Sequence, residues 1–360
     1  MKDKKTTKYT SIGGSALIEG VMMRSDSKMS IAVRKQSGDI VLKVEPIKKT
    51  KSIINKIPIL RGVIGFIMSM ITSYKSLMYS ADVSMEDILE EEPESKFEKW
   101  LTKVLGKGFM NVLMVFSVII GLAISVLAFI YLPTLLTDLF SKYVLELSPV
   151  VKRIIVGVLK MLVFLIYMLA VSRMKDMRRL FEYHGAEHKT IFCFEAKREL
   201  TPENAKSFKR FHPRCGTSFI IITLIVSIIV SMMIPWQNAQ LHTLLKLLFL
   251  PVVMGIAYEF IKLAGKYDNL FTRIISAPGL WFQRITTSEP DSEQLSIAIW
   301  ALRGVLEDYP LNTRLIIGAD GVPVPQPQTE TGAADAQGST DTQKNDGSSE
   351  TQQTNGADNG

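Results

Sequence analysis

Four long apolar stretches constrain this chain more than any other feature. Residues 109–132 carry no charge, 154–171 are interrupted only by Lys160, and 218–234 are again uncharged. The fourth, 243–264, holds Lys246 near its start and Glu259 and Lys262 near its end. Each is close to the ~20 apolar residues that a helix needs to cross a bilayer. A single run of this kind would fit the buried core helix of a soluble domain. Four in 360 residues, two of them wholly uncharged, do not. The predicted fold is mainly α: a multi-pass helical membrane protein with about four transmembrane helices.

The basic residues set an orientation. The leader up to Arg61 holds fourteen Lys and Arg against five acids, and the connection 172–217 holds eleven against six. Residues 133–153 hold three basic residues, and 235–242 hold none. Basic connections stay in the cytoplasm, so both termini and the connection 172–217 are placed inside. Lys152 and Arg153 fall on the outer side, where long stems reach the interface. The net charge of +7 then reads as attraction to anionic inner-leaflet lipids. No nucleic-acid motif accompanies it. The first apolar run is too short and mixed for a secretory signal. Cys193 and Cys215 both fall inside, where a disulfide is not expected.

Residues 1–60 read as a small β-containing cytoplasmic cap. Met29, Ile31 and Val33 alternate, as do Ile40, Leu42 and Val44, and Gln36-Ser37-Gly38-Asp39 between them has hairpin-turn composition. Residues 61–108 read as an amphipathic helix lying at the interface or packing on the spans, followed by an acidic linker; a fifth crossing there is left open. Residues 109–171 supply the first two spans, 172–217 a cytoplasmic loop, and 218–264 the last two spans. In 265–317, an interfacial turn around Pro278, Gly279 and Trp281 precedes a helix whose start, Asp291 with Gln294, has capping-box form. That helix places Leu295, Ile299, Leu302 and Leu306 along one face. Residues 318–360 are polar and read as a disordered tail.

The reactive residues gather between the second and third spans. His184-Gly-Ala-Glu187-His188 has the H-x-x-E-H form. On a helix, residues four apart share a face, so both imidazoles can hold one metal ion. The carboxylate beside the second histidine is then placed to act as a general base, as in the inverted zincin motif. His212-Pro213-Arg214-Cys215-Gly216 offers a second imidazole and a thiol at the start of the third span. Glu259 lies toward the inner end of the fourth, where an acid in an apolar segment marks a functional suspect. His184, His188, His212, Cys215 and Glu259 are therefore the candidate metal ligands, and Glu187 and Arg214 the candidate catalytic groups. Structural readings stand beside these: His212 and Cys215 as structural residues, the Cys a small buried hydrophobe, and Glu259 paired with Lys262 or Arg173; Cys193, outside the candidate set, reads as core. Glu19, in the glycine-rich 13–24 segment, calls for a cationic partner, with Arg24 and Arg61 the candidates.

Several segments together resemble the DUF1385 family of bacterial membrane proteins. They are Gly13-Gly-Ser-Ala-Leu-Ile-Glu-Gly-Val-Met-Met-Arg24, Pro58-Ile-Leu-Arg-Gly62, Glu182-Tyr-His-Gly-Ala-Glu-His-Lys189, His212-Pro-Arg-Cys-Gly-Thr-Ser-Phe219, Ala257-Tyr-Glu-Phe260 and Ala277-Pro-Gly-Leu-Trp-Phe-Gln-Arg-Ile-Thr-Thr287. The resemblance spans about residues 11–308 and implies a bacterial cell-membrane location. It carries Glu19, Arg24, Arg61, Glu182, His184, Glu187, His188, His212, Arg214, Cys215 and Glu259 as motif residues. The family has no assigned function, and its description as a metal-dependent enzyme rests on these same motifs.

Two functions follow from the residues. One is a metal-dependent hydrolase at the cytoplasmic membrane face, with Zn²⁺ held by His184, His188 and either His212 or Glu259. Glu187 would take a proton, and Arg214 would steady an anionic transition state. The other is a non-catalytic scaffold or assembly factor. Its His/Glu/Cys cluster would be a closed structural site, and its basic face would bind a membrane-protein or cytoplasmic partner. Membrane lipids are partners under either reading.

Overall fold

The computed structural model describes residues 10, 12–47, 58–91, 115–213, 215–234, 239–267, 269–318 and 321–325. It is mainly helical, with a six-stranded antiparallel sheet at its head. Strands β1 (Gly13–Leu17), β2 (Gly20–Arg24), β3 (Lys28–Arg34) and β4 (Ile40–Pro46) follow one another in sequence and in space. The 36–39 segment closes the β3–β4 hairpin, with Gly38 at φ 95° where a side chain would be strained. Two short strands from the far end of the described chain, β5 (Arg314–Ile317) and β6 (Pro323–Pro325), extend the sheet beyond β4.

Among the described residues, nine helices run between them: α1 (Pro58–Glu91), α2 (Val115–Tyr143), α3 (Pro149–Val171), α4 (Lys175–Glu195), α5 (Pro202–Lys206), α6 (Gly216–Met233), α7 (Ala239–Lys266), α8 (Leu270–Thr286) and α9 (Ser292–Leu306). Four helical segments are long and apolar enough to cross a membrane: Val115–Tyr143, Pro149–Val171, Gly216–Met233 and Leu244–Leu263. They correspond to the four apolar stretches. Helix α2 carries a π-helical turn at Leu127–Tyr131. Pro133, two residues past its end, has no N–H to donate to the α-helical ladder, which accounts for the altered turn.

Both faces of the sheet are buried, because period-2 alternation serves two cores. Val21, Met23, Ala32, Leu42 and Val44 face α4 and α9, joining Tyr183, Ala186, Ile191, Leu295 and Leu302. Met22, Ile31, Val33 and Val41 face the other way and meet Val83 and Leu77 of α1. On α9, Leu295, Ile299 and Leu302 are buried as the spacing requires, whereas Leu306 is exposed. The α9 capping box between Asp291 and Gln294 is formed.

Four expectations change. The 172–217 connection is not a loop: α4 and α5 fill much of it. The turn expected around Pro278 is instead inside α8. Gly279 there lets α8 lie against α6 so closely that a Cβ would sit 2.4 Å from Ser218 Oγ. Part of the expected acidic linker belongs to α1, which is continuous to Glu91. Within the polar tail expected from residue 318, Pro323–Pro325 is a strand paired with β5, whose ladder supplies the order that its composition lacks. Residues 326–360 lie outside the described residues.

Candidate metal centre

Helix α4 supplies the first half of the site. Residues 183–191 are buried without a break, including His184, Glu187, His188 and Lys189. Such burial of polar groups requires partners. Gly185 makes it possible, because a Cβ there would lie 2.1 Å from the Ser288 carbonyl oxygen. The segment after α8 therefore runs flat against α4, with the Ser288 N–H donating to the Phe181 carbonyl at 2.8 Å.

Both histidines are oriented from behind. His184 Nδ1 lies 2.8 Å from the Thr286 carbonyl, and His188 Nδ1 contacts the Arg210 carbonyl. A carbonyl only accepts, so each Nδ1 carries the proton and each Nε2 presents its lone pair. His184 Nε2 lies 3.1 Å from Cys215 Sγ. His188 Nε2 is buried with no hydrogen-bond partner. The donor atoms of His184, His188 and Cys215 all fall within 4.8 Å of one another.

Cys215 reaches the group as the N-cap of α6, its sulfur 3.4 Å from the Thr217 N–H and 3.1 Å from the Thr217 hydroxyl. A helix N-terminus carries partial positive charge, which suits an anionic sulfur ligand. Glu187 Oε2 approaches His184 Nε2 to 4.0 Å. Burial pushes the Glu187 carboxyl up to about 7, against the opposing pull of the His184 ring and the Gly14 amide. Gly14 is close because it has no side chain: a Cβ would meet Glu187 Oε1 at 3.0 Å.

His212 lies just outside this trio. Its ring stacks 5.6 Å from His188 and 4.7 Å from Phe192, and its Nε2 is 4.0 Å from Glu195 Oε2. Its backbone is gripped by Gln283 of α8. The His212 N–H donates to Gln283 Oε1 at 2.7 Å, and Gln283 Nε2 donates to the His212 carbonyl at 2.8 Å and to Ser218 Oγ at 3.1 Å. Gln283 is fully buried. Sequence reasoning did not single it out, although a glutamine four residues after Gly279 shares that residue's face toward α6.

Glu259 does not join the group. Arg61 Nε and Nη2 donate to its two carboxylate oxygens at 2.8 and 2.6 Å, a bidentate pair that ties α1 to α7. Glu19 also finds a different partner from those expected, accepting from Arg179 and, at 3.1 Å, from the Tyr183 hydroxyl. Glu19 adopts φ 50° in the β1–β2 turn, which aims it at α4. Arg214 lies outside the described residues. Cys193 packs in the core, and both cysteines are free.

These features define a class: a mainly helical protein with four apolar helices, and a buried His/His/Cys group where α4 meets the start of α6. Within that class the chain belongs to the DUF1385 family, described as "Protein of unknown function (DUF1385)", whose profile matches residues 57–308. It is 32% identical over 302 residues to "Uncharacterized protein YqhQ" of Bacillus subtilis (strain 168), covering 82% of this chain and 92% of that protein. No solved structure matches it.

Proposed function

We propose that this protein is a multi-pass bacterial membrane protein with a divalent-metal hydrolase site at its cytoplasmic face, and that zinc is the ion. The observation that carries the reading is His188 Nε2, a buried lone pair without a partner that converges with His184 Nε2 and Cys215 Sγ. An unsatisfied buried polar atom costs about 1–3 kcal/mol, and a shared cation removes that cost. The donor set suits zinc, which takes imidazole and thiolate together. Bound there, a zinc ion would supply Lewis acidity to a substrate carbonyl or phosphoryl oxygen.

The chain's own groups would do the rest. The Thr286 and Arg210 carbonyls hold the imidazoles in the binding tautomer. Glu187, 4.0 Å from His184 Nε2, is placed to take a proton from an attacking water. The His212 ring packs beside the site, 5.6 Å from the His188 ring and 4.7 Å from that of Phe192. Three protein donors leave one position open, as catalytic zinc sites do. The apolar helices and the basic 172–217 connection support the membrane location and inward orientation.

A second reading, a structural zinc site in a scaffold, is favoured by burial: none of the three donors is more than 8% exposed. X-ray absorption on the zinc-loaded, detergent-purified protein separates the two. One sulfur, two imidazoles and one light oxygen donor are expected. Four protein donors, with a third imidazole, would rule out the hydrolase reading and leave the scaffold.

A further inference from the structure

Helix α1 is not one of the four helices long and apolar enough to cross a membrane, yet its first half packs among them. A Cβ at Gly62 would sit 3.1 Å from the Gly255 Cα and 3.0 Å from the Tyr258 Cβ of α7, so the two backbones touch. Arg61 pairs with Glu259, one turn along α7 from Gly255. The Phe66 ring lies 5.0 Å from that of Phe219 in the first turn of α6. Helices α6 and α7 thereby gauge the depth of α1. Gly255 lies eight residues inside the inner end of the apolar segment Leu244–Leu263, about 12 Å along its axis. Phe219 lies three residues from the start of α6, about 5 Å. From Phe66 back to Gly62, α1 therefore descends among the spans, and Pro58, one turn earlier, lies deeper still.

The outward face of this half suits lipid. No residue between Arg61 and Lys75 is charged. Leu60, Ile67, Met68, Met70 and Ile71 are 45–57% exposed. A helix lying flat on a bilayer carries Lys and Arg along its outward face, which this stretch lacks. Tyr74, 65% exposed, closes the stretch with an aromatic of the kind that sits at headgroup level. The Thr72 hydroxyl donates to the Met68 carbonyl at 2.8 Å, which satisfies it without water. Nor does α1 cross. Thirteen uncharged residues fall short of the ~20 that a crossing needs. Its second half returns to the sheet, where Leu77 and Val83 meet Ile31, Val33 and Val41. Strand β4, which leads into α1, belongs to that same sheet. Both ends of the segment therefore lie on one side of the spans. Chain from Ile47 to Pro58 reaches about 40 Å at most, enough to go in once.

We propose that residues 58–74 form a re-entrant half-helix that enters the inner leaflet beside α7, its exposed apolar face covered by acyl chains. The Arg61–Glu259 pair pins it at depth, and the second half of α1 holds the sheet at the membrane. This placement rests on the membrane reading above and is independent of the metal centre. Nitroxide labels on Leu60→Cys, Ile71→Cys and Met78→Cys test it in the full-length protein, reconstituted in phosphatidylcholine–phosphatidylglycerol vesicles. All three positions are 45–46% exposed, so the label displaces no core. Wild-type protein taken through the same labelling is the blank, because Cys193 and Cys215 are buried. Power saturation with oxygen, which concentrates in the bilayer, and with a water-soluble nickel complex reads the depth. Leu60 and Ile71 are eleven residues apart on the helix, so the label at 60 should lie about 10–15 Å deeper than the label at 71. The label at 78 should be open to nickel. Equal depths at 60 and 71 would make α1 a surface helix and overturn the proposal. So would nickel access at 60 and 78 with a lipid-exposed 71, the pattern of a full crossing. A label on Ile119→Cys of α2 checks the membrane reading separately. Lipid exposure at 119 with nickel access at 60 overturns the half-helix alone, whereas nickel access at both overturns the membrane reading with it.

Discussion

Gly185→Ala sets two physical rules against each other. By helix propensity alone, alanine in the middle of α4 should stabilise the protein by about 1 kcal/mol. The packing predicts the opposite. The new Cβ would sit 2.1 Å from the Ser288 carbonyl oxygen, against an ordinary carbon–oxygen contact of about 3.3 Å. Either α4 or the 287–290 segment must retreat by about 1.2 Å. Such a movement breaks the Ser288-to-Phe181 hydrogen bond and draws the Thr286 carbonyl away from His184 Nδ1. Overpacking costs about 1–3 kcal/mol and each lost hydrogen bond about 1. Net of propensity, the variant should be less stable by about 3 kcal/mol. Thermal unfolding in detergent, with Gly121→Ala as reference, reads this out. A Cβ at Gly121 would have nothing within 4 Å, so that variant should be neutral or slightly more stable. Equal or higher stability for Gly185→Ala would refute the packing argument.

The other predictions concern charge and the grip of α8. Arg314 holds Glu86, and Lys35 holds Asp87, below the ordinary carboxylate range. Their stabilisation is present above the unfolded pKa and lost as pH falls through the folded values. The melting temperature should therefore fall less steeply between about pH 6 and pH 3 in Glu86→Gln/Asp87→Asn than in the wild type; parallel profiles would contradict this. Arg61→Ala should lower the melting temperature, by less than the loss of a fully buried pair would, because the pair is about 30% exposed. The double variant with Glu259→Ala should recover part of that loss, and a double variant worse than Arg61→Ala would sink the pairing argument. Glu259→Gln should leave the metal content unchanged, which elemental analysis checks directly. Gln283→Ala strands the His212 backbone and should lower stability by about 2–3 kcal/mol in thermal unfolding.

Much of this was legible in the sequence because the signals are local. Uncharged apolar runs announce the four long helices, and period-2 alternation announces β3 and β4. The pairing of His184 with His188 follows from helical spacing, and Cys215 joins them as the residue that starts α6. The rest depends on contacts between distant segments. Strand β5 is four residues long and has no signature until it pairs with Ile40–Lys43. Depth along the apolar helices groups Glu259 with the histidines, since both lie toward the same ends. Depth says nothing about which side of a helix faces which neighbour, and Arg61, 198 residues earlier, claims Glu259. Glu19 likewise meets Arg179 rather than Arg24 or Arg61. Gln283 carries no chemical signature alone; its role emerges only when Gly279 brings α8 onto Ser218.

Everything proposed for the site depends on His184, His188 and Cys215 holding a metal ion. Elemental analysis of the full-length protein, purified anaerobically without chelators, bears on this without intermediaries. One equivalent of zinc is expected in the wild type, with most of it lost in His188→Ala and all of it retained in Glu259→Gln. Wild-type protein that is folded, takes up no zinc when it is offered, and is indistinguishable from His188→Ala would contradict the metal site.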